Sequence, residues 1–155
     1  MLYREYKPED VHQILKLFYN TVHTVNALDY SAEQLDAWAP LSQDAAAWNK
    51  SLCENYTLVA EQDGLICGFA DLAPGGYLDR LYVHSDFQRM GIASQLCSLL
   101  EKRARGQNVK ELTVHASITA RPFFEKRGYG LIEEQRVSRR GVEMTNYVMR
   151  LVFAD

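Results

Sequence analysis

The chain has 155 residues, 47% apolar and 24% charged, ordinary values for a globular protein with room for one core. Its net charge of −3 argues against nucleic acid as the main partner, because phosphate-backbone binding needs a basic face. Three scattered cysteines, Cys53, Cys67 and Cys97, form no Cys-x-x-Cys pair, which argues against a disulfide framework or a metal site and reads as small, reduced core residues.

The opening residues, Met1 to Lys7, lack an apolar run suited to export, and no stretch is long enough to span a bilayer. A cytoplasmic protein away from membranes is therefore expected. Residues 2–6 read as a first strand, ended by Pro8. Val11, Ile14, Leu15, Phe18, Val22 and Val25 recur at helical spacing, which predicts a helix over 8–23. Ser31 and Gln34 form a capping-box pattern, opening a short helix that Pro40 stops, and a further short helix is expected over 44–53.

From Tyr56 the texture changes. Residues 56–61 and 65–72 alternate about Asp63-Gly64, a hairpin signal. Pro74-Gly75-Gly76 breaks the chain before a strand over 77–83. The next helix, over 91–105, shows Ile92, Leu96, Leu99 and Leu100 on its apolar face and Lys102, Arg103 and Arg105 near its negative end. A β-branched strand over 109–115 follows, then a short helix over 119–127 that Thr119 caps. Two closing strands, over 129–137 and 142–152, complete the order. Arg136, Arg139 and Arg140 at the last turn are surrounded by Glu133, Glu134 and Glu143 and read as a solvated hairpin. The order predicts one α/β (α+β) domain over 1–155, with a strand–helix–strand crossover at its centre.

Residues 81–93 carry the strongest chemical signal. An apolar strand passes through a short polar turn into Gly91, where a helix begins. Backbone N–H groups there, at the positive end of the helix dipole, converge on one concave spot that binds phosphate without a lysine. The Gly-x-Gly-x-x-Gly run of a dinucleotide fold and a Walker loop are both absent. Gln88-Arg89-Met90-Gly91-Ile92-Ala93 resembles the Gln/Arg-x-x-Gly-x-Gly/Ala signature of the GCN5-related N-acetyltransferase (GNAT) family. Ala120-Arg-Pro-Phe-Phe-Glu-Lys-Arg-Gly-Tyr129 is similar to that family's second signature. The resemblance is close over 78–129 and looser over 56–151, and earlier residues match in element order only. It implies a mixed, mostly antiparallel central sheet flanked by helices, with the fourth and fifth strands splayed apart.

The same resemblance implies acetyl-CoA as co-substrate, no metal, and acetyl transfer to a primary amine of a small molecule or peptide by direct attack in a ternary complex. Two other readings stand beside it: a non-catalytic acyl-CoA-binding sensor or partner module, and transfer to a hydroxyl or of a longer acyl chain. The coenzyme pyrophosphate would rest on the amides of Arg89, Met90, Gly91, Ile92, Ala93 and Ser94, behind Gln88, with Gly91 bare so that phosphate can approach. Main-chain groups of Leu81 and Val83, flanking Tyr82, would pair with the pantetheine arm as an added strand does. Phe123 and Phe124 would lie toward the cysteamine end, and Ser117 stands where the family often has an asparagine, shorter but still able to hydrogen-bond to the coenzyme. Lys126 and Arg127 would meet the nucleotide 3′-phosphate, or simply complement a helix C-terminus.

An alkylammonium, with a pKa of about 10.4, must lose a proton before it attacks. Asp79 is the first candidate base, or else an ion-pair partner of Arg80; His84, His115 and Glu61 follow. An amide near Val83 is the natural donor to the carbonyl oxygen as it gains charge. Phe124 stands where many family members place a tyrosine that protonates the thiolate, so Tyr82, Tyr129 and Tyr147 become the replacements. The acceptor side is expected over 25–40, where Asn26, Asp29, Tyr30, Asp36 and Trp38 offer carboxylates and aromatic surface for a cationic amine. Trp38 also reads as a core plug, and a homodimer is left open.

Overall fold

A computed structural model describes residues 1–154. Seven strands form one sheet, in the order β1 (Leu2–Glu5), β2 (Tyr56–Gln62), β3 (Leu65–Ala73), β4 (Tyr77–Val83), β5 (Glu111–Ser117), β7 (Val142–Val152) and β6 (Gly130–Arg139). Only β4 and β5 run parallel, joined by the helix α4 (Ile92–Gly106); every other neighbouring pair is antiparallel. Alternate side chains feed two cores. On one face, α4 and the short α5 (Arg121–Lys126) cover Leu78, Leu112, Val114 and Met149. On the other, α1 (Val11–Thr24), α2 (Ala32–Trp38) and α3 (Ala45–Glu54) cover Val59, Ile66 and Phe69. The period of α4 explains its docking: Ile92, Leu96, Cys97, Leu100 and Ala104 lie along one buried stripe. Each large side chain fully removed from water there contributes roughly 1.5–3 kcal/mol.

Local signals account for most element ends. The Ser31 hydroxyl accepts from the Gln34 N–H at 3.1 Å while the Gln34 side chain accepts from the Ser31 N–H at 2.9 Å, a complete capping box at the start of α2. The expected cap at Thr119 does not form. Ser117 Oγ accepts from the Ala120 N–H at 3.0 Å, and the Thr119 hydroxyl turns to Asp29 at 2.7 Å instead. Cys67 and Cys97 are buried, but Cys53 is exposed, since it faces away from the stripe that docks α3.

The last hairpin is not simply solvated. Arg140 donates to the Ala37 carbonyl at 2.7 Å, satisfying an acceptor near the open end of α2. Gln34 Nε2 donates to the Glu143 carbonyl at 3.0 Å, and the Tyr30 hydroxyl donates to the Thr145 carbonyl at 2.7 Å. The hairpin is thereby fastened across α2 and the segment before it.

The centre of the sheet is where the regular ladder stops. β4 and β5 pair only at Tyr77↔Thr113 and Leu78↔Val114. Gly76 pins this end. Its carbonyl accepts from the Thr113 N–H at 2.9 Å, and a Cβ there would come within 2.5 Å of the Glu111 carbonyl oxygen, with φ at +98°. Beyond Leu78 each strand follows its outer neighbour instead: β4 stays with β3 as far as Gly68↔Val83, and β5 stays with β7 as far as Ser117↔Asn146. A V-shaped gap opens between them. Gly76→Val is expected to lower folding stability by about 1–3 kcal/mol through φ strain and the forced separation of the pinned end. Urea denaturation measures this; an unchanged midpoint would show that the pin is unimportant.

Candidate functional site

Two cavities, of about 410 and 210 Å³, meet at the gap and share Trp38, Asp79, Tyr82, His115 and Ser117. The smaller is walled by Leu81, Val83, Gln88, Ala93, Phe123 and Phe124, among others. The register explains what β4 offers there. The His84 N–H donates to the Cys67 carbonyl at 2.7 Å, so Val83↔Gly68 is a pair that exchanges no bonds of its own, and Leu81↔Ala70 is another two residues earlier. The main-chain groups of Leu81 and Val83 therefore turn away from β3 toward the gap. The Val83 carbonyl is already taken, by the Thr21 hydroxyl at 3.2 Å and the Gln88 side chain at 2.6 Å. Its N–H remains open. Gln88 thus fixes the end of β4 through its side chain.

At the start of α4, the first intrahelical bond runs from the Gln95 N–H to the Gly91 carbonyl at 3.0 Å. The amides of Ile92, Ala93 and Ser94 precede it and have no acceptor within the helix. Arg89 and Gly91 both adopt left-handed backbone, with φ of 62° and 81°, the kind of turn that gathers successive N–H groups into an anion-binding nest. A Cβ on Gly91 would meet nothing within 4 Å. Glycine is favoured there by its backbone angle, an additional reason to the bare approach expected from the sequence. The Ile92 side chain is buried in the core, while Arg89, Met90 and Ser94 are exposed at the mouth.

The larger cavity lies on the α1–α3 side of the sheet. Phe18, Trp38, Trp48, Tyr77 and Tyr82 give it aromatic walls, and Asp79, Arg80, Arg139 and Asn146 bring its polar groups. The Tyr82 ring meets Phe18 edge-on at 4.9 Å and tilts against Phe69 at 5.6 Å. Burial pushes its phenol up to about 12. Trp38 is half-buried and lines both cavities rather than plugging a core. Tyr30 is buried, its hydroxyl fully used by the Thr145 carbonyl and the Ile118 N–H.

Behind Asp79 stands a polar cluster that the sequence reading did not identify. Asp71 is completely buried in β3, held by Arg80 and by Asn55 Nδ2 at 2.9 Å, and its Oδ1 has no partner. Burial pushes its carboxyl up to about 6, against the pull of Arg80. Arg80 also donates to Ser51 Oγ at 2.7 Å, lies over the Trp48 ring at 4.8 Å, and approaches Asp79 at 3.7 Å. Asp79 is therefore ion-paired, yet its side chain keeps 33% of its exposure and borders both cavities. The signal for Asp71 was a lone acid in an otherwise apolar strand, Leu65 to Ala73.

Other candidates fall elsewhere. His84 caps the turn before α4, its Nδ1 accepting from the Asp86 N–H at 3.0 Å, and borders neither cavity. Glu61 sits across the sheet, paired with Arg4 at 3.1 Å. Asp29 and Asp36 lie outside both cavities, Asp29 bound to Thr119 and Asp36 76% exposed beside His23; Asn26 borders the smaller one. Lys126 is exposed and unpaired among the described residues, whereas Arg127 is bound twice to Glu101. Tyr129 donates to the same Glu101 within the core, and Tyr147 lies under Arg121 at 4.4 Å; neither borders a cavity. Phe124 packs edge-on against Tyr129 at 5.0 Å.

A sheet opened at one parallel pair, with a helix start beside the gap, places this chain among the acetyltransferases. The profile of the Acetyltransferase (GNAT) domain matches residues 26–151. An uncharacterized N-acetyltransferase of Escherichia coli strain K12, YafP, is 37% identical over 147 residues, which cover 95% of this chain and 93% of that one. The crystal structure of a GCN5-related N-acetyltransferase from Rhodopseudomonas palustris superposes with a TM-score of 0.95 at 36% identity, covering 98% of this chain and 95% of the other. PaiA N-acetyltransferase of Thermoplasma acidophilum, solved with coenzyme A, shares the fold with a TM-score of 0.82 at 18% identity, covering 98% of each chain. The chain belongs to the GNAT acetyltransferase family.

The Asp71 carboxyl has a folded pKa of about 6, above its ordinary value of 3.8. Its contribution to stability is therefore whole below the ordinary value and is lost as pH rises through about 6. Relative to Asp71→Asn, the wild-type protein is expected to lose about 1–3 kcal/mol between about pH 4 and pH 7. Paired urea titrations across that window read the difference; a constant offset would contradict it.

Proposed function

We propose that the protein transfers an acetyl group from acetyl-CoA to the primary amine of a small molecule or peptide, by direct attack with both partners bound. The observation that supports this reading is the meeting of two cavities at Asp79, Tyr82 and His115 in the gap between β4 and β5. One partner enters from the α4 side and the other from the α1–α3 side. Acetyl-CoA supplies the activated thioester.

The residues present fit such a partner. The unbonded amides of Ile92, Ala93 and Ser94, with the nest at Arg89 to Gly91, hold the pyrophosphate. The inward edge of β4 at Leu81 and Val83 holds the amide-bearing arm as a further strand. Lys126, with no ion pair among the described residues, serves the 3′-phosphate better than Arg127, which Glu101 already neutralises. The open Val83 N–H is the donor to the oxygen that gains charge.

Asp79 takes the amine proton, directly or through water, from its position between the cavities. The new N–C bond replaces the C–S bond, and the proton lost by the amine ends on the released thiol. Tyr82 is the hydroxyl at the junction. With its pKa near 12 it stays protonated at neutral pH, and it donates a hydrogen bond to the departing sulfur rather than surrendering its proton. A thiolate with a conjugate-acid pKa of about 8.5 needs no stronger acid, so Phe124 does not block the reaction.

Gly91→Glu is expected to abolish acetyl-CoA binding by placing a carboxylate at the nest, whereas Gly91→Ala carries only the backbone strain and keeps most of the affinity. Calorimetric titration separates the two; equal affinities would remove the phosphate site from α4. Asp79→Asn is expected to lower kcat/KM by about 10²- to 10⁴-fold. A thiol-release assay tests this, and an unchanged rate would reject Asp79 as the base.

A further inference from the structure

The larger cavity has a charge pattern that selects among amines. Its one acid, Asp79, and its two guanidinium groups, Arg80 and Arg139, are not evenly matched. Arg80 is engaged by Asp71 and lies beside Asp79, so the three form one closed group with Trp48 against it. Arg139 stands apart. Its guanidinium lies 6.0 Å over the Trp38 ring, and among the described residues it pairs with no carboxylate. The acids that the sequence offered as cation receptors, Asp29 and Asp36, lie outside this cavity. A guanidinium without a partner, at the wall of an aromatic cavity, is suited to bidentate capture of an anion.

Asn146 adds an independent sign. It borders the same cavity, is 93% buried at a relative exposure of 7%, and its Oδ1 has no hydrogen-bond partner. Buried acceptors are normally satisfied, so an orphan at a cavity wall calls for a donor from outside the chain. An amine N–H is such a donor. Between the two polar points the walls are flat rings, and a volume of about 410 Å³ suits a compact molecule.

Resting on the reading of this cavity as the acceptor site, we propose that the acceptor is a primary amine that also carries a carboxylate on a compact, flat apolar frame, the chemical class of an aromatic α-amino acid. Arg139 holds the carboxylate. Asn146 and Asp79 receive the amino group, and Trp38, Trp48 and Tyr77 pack the ring. Charge complementarity then sets orientation as well as affinity, since only one end of the molecule can face Arg139.

The test uses L-phenylalanine and 2-phenylethylamine, which share a ring and an amine and differ in the carboxylate. Each is titrated calorimetrically into the protein alone and into the protein with coenzyme A. Phenylalanine is expected to bind at least about 10-fold more tightly than phenylethylamine, the scale of one charge-assisted contact. Arg139→Gln should weaken phenylalanine by about 10- to 100-fold and move phenylethylamine by less than about twofold, and Arg139→Lys should recover part of the loss. Equal affinities for the two probes, no binding of phenylalanine, or an Arg139→Gln variant that keeps the preference would each overturn the proposal. Coenzyme A titrated by itself reports separately on the transferase reading: its failure to bind, with phenylalanine still discriminated, removes that reading and leaves the selectivity of the cavity standing.

Discussion

The site depends on a ladder that stops early. β4 and β5 exchange contacts at only two residue pairs before parting, while each remains bonded to its outer neighbour along its length. Two consequences follow from ordinary hydrogen-bond accounting. The inner edge of β4 carries main-chain groups that no strand satisfies, and the sheet has a passage through its middle where a continuous one would be sealed. Buried backbone groups left open are costly unless a ligand or water completes them. The gap therefore leaves main-chain groups of β4 open to a partner from outside the sheet.

Around that passage, polarity is distributed unevenly. The α4 side offers backbone N–H groups and the apolar faces of Phe123 and Phe124. The opposite side offers ionic side chains set among aromatic rings. Asp71 is the costliest element of this arrangement, a fully buried carboxyl with one oxygen unpaired. Its burial is offset by Arg80 and Asn55, and the return is positional: Arg80 is held between Ser51, Trp48 and the two acids, and so presents Asp79 at a fixed place.

Much of this was readable from the residues. The periodicity of α4, the capping box of Ser31 and Gln34, and the alternation of β2 and β3 are local signals, and local signals set these elements. The start of α4 was equally legible because Gly91 and the amides after it lie together in the chain. What could not be read was convergence. Arg139 is exposed, as its glutamate-rich surroundings in sequence suggest, yet its guanidinium lies over Trp38 at the wall of the larger cavity, while Arg140 beside it reaches the Ala37 carbonyl of α2. Asp29 and Asp36 looked like part of an acceptor wall because they lie near Tyr30 and Trp38, but Asp36 is turned to another face of α2 and Asp29, in the turn before it, is bound by Thr119. Thr119 was assigned a cap on position alone, whereas Ser117, two residues earlier, has the geometry.

The two halves of the cavity system also differ in how they are encoded. Most of the wall on the α4 side comes from one middle stretch, from Leu78 in β4 to Phe124 in α5. The opposite wall adds, to Tyr77 beside that stretch and Asp79, Tyr82 and His115 within it, residues of the early helices and the late hairpin, at Phe18, Trp48, Arg139 and Asn146. Substitutions near the two ends can thus reshape the larger cavity while most of the smaller one's lining is untouched.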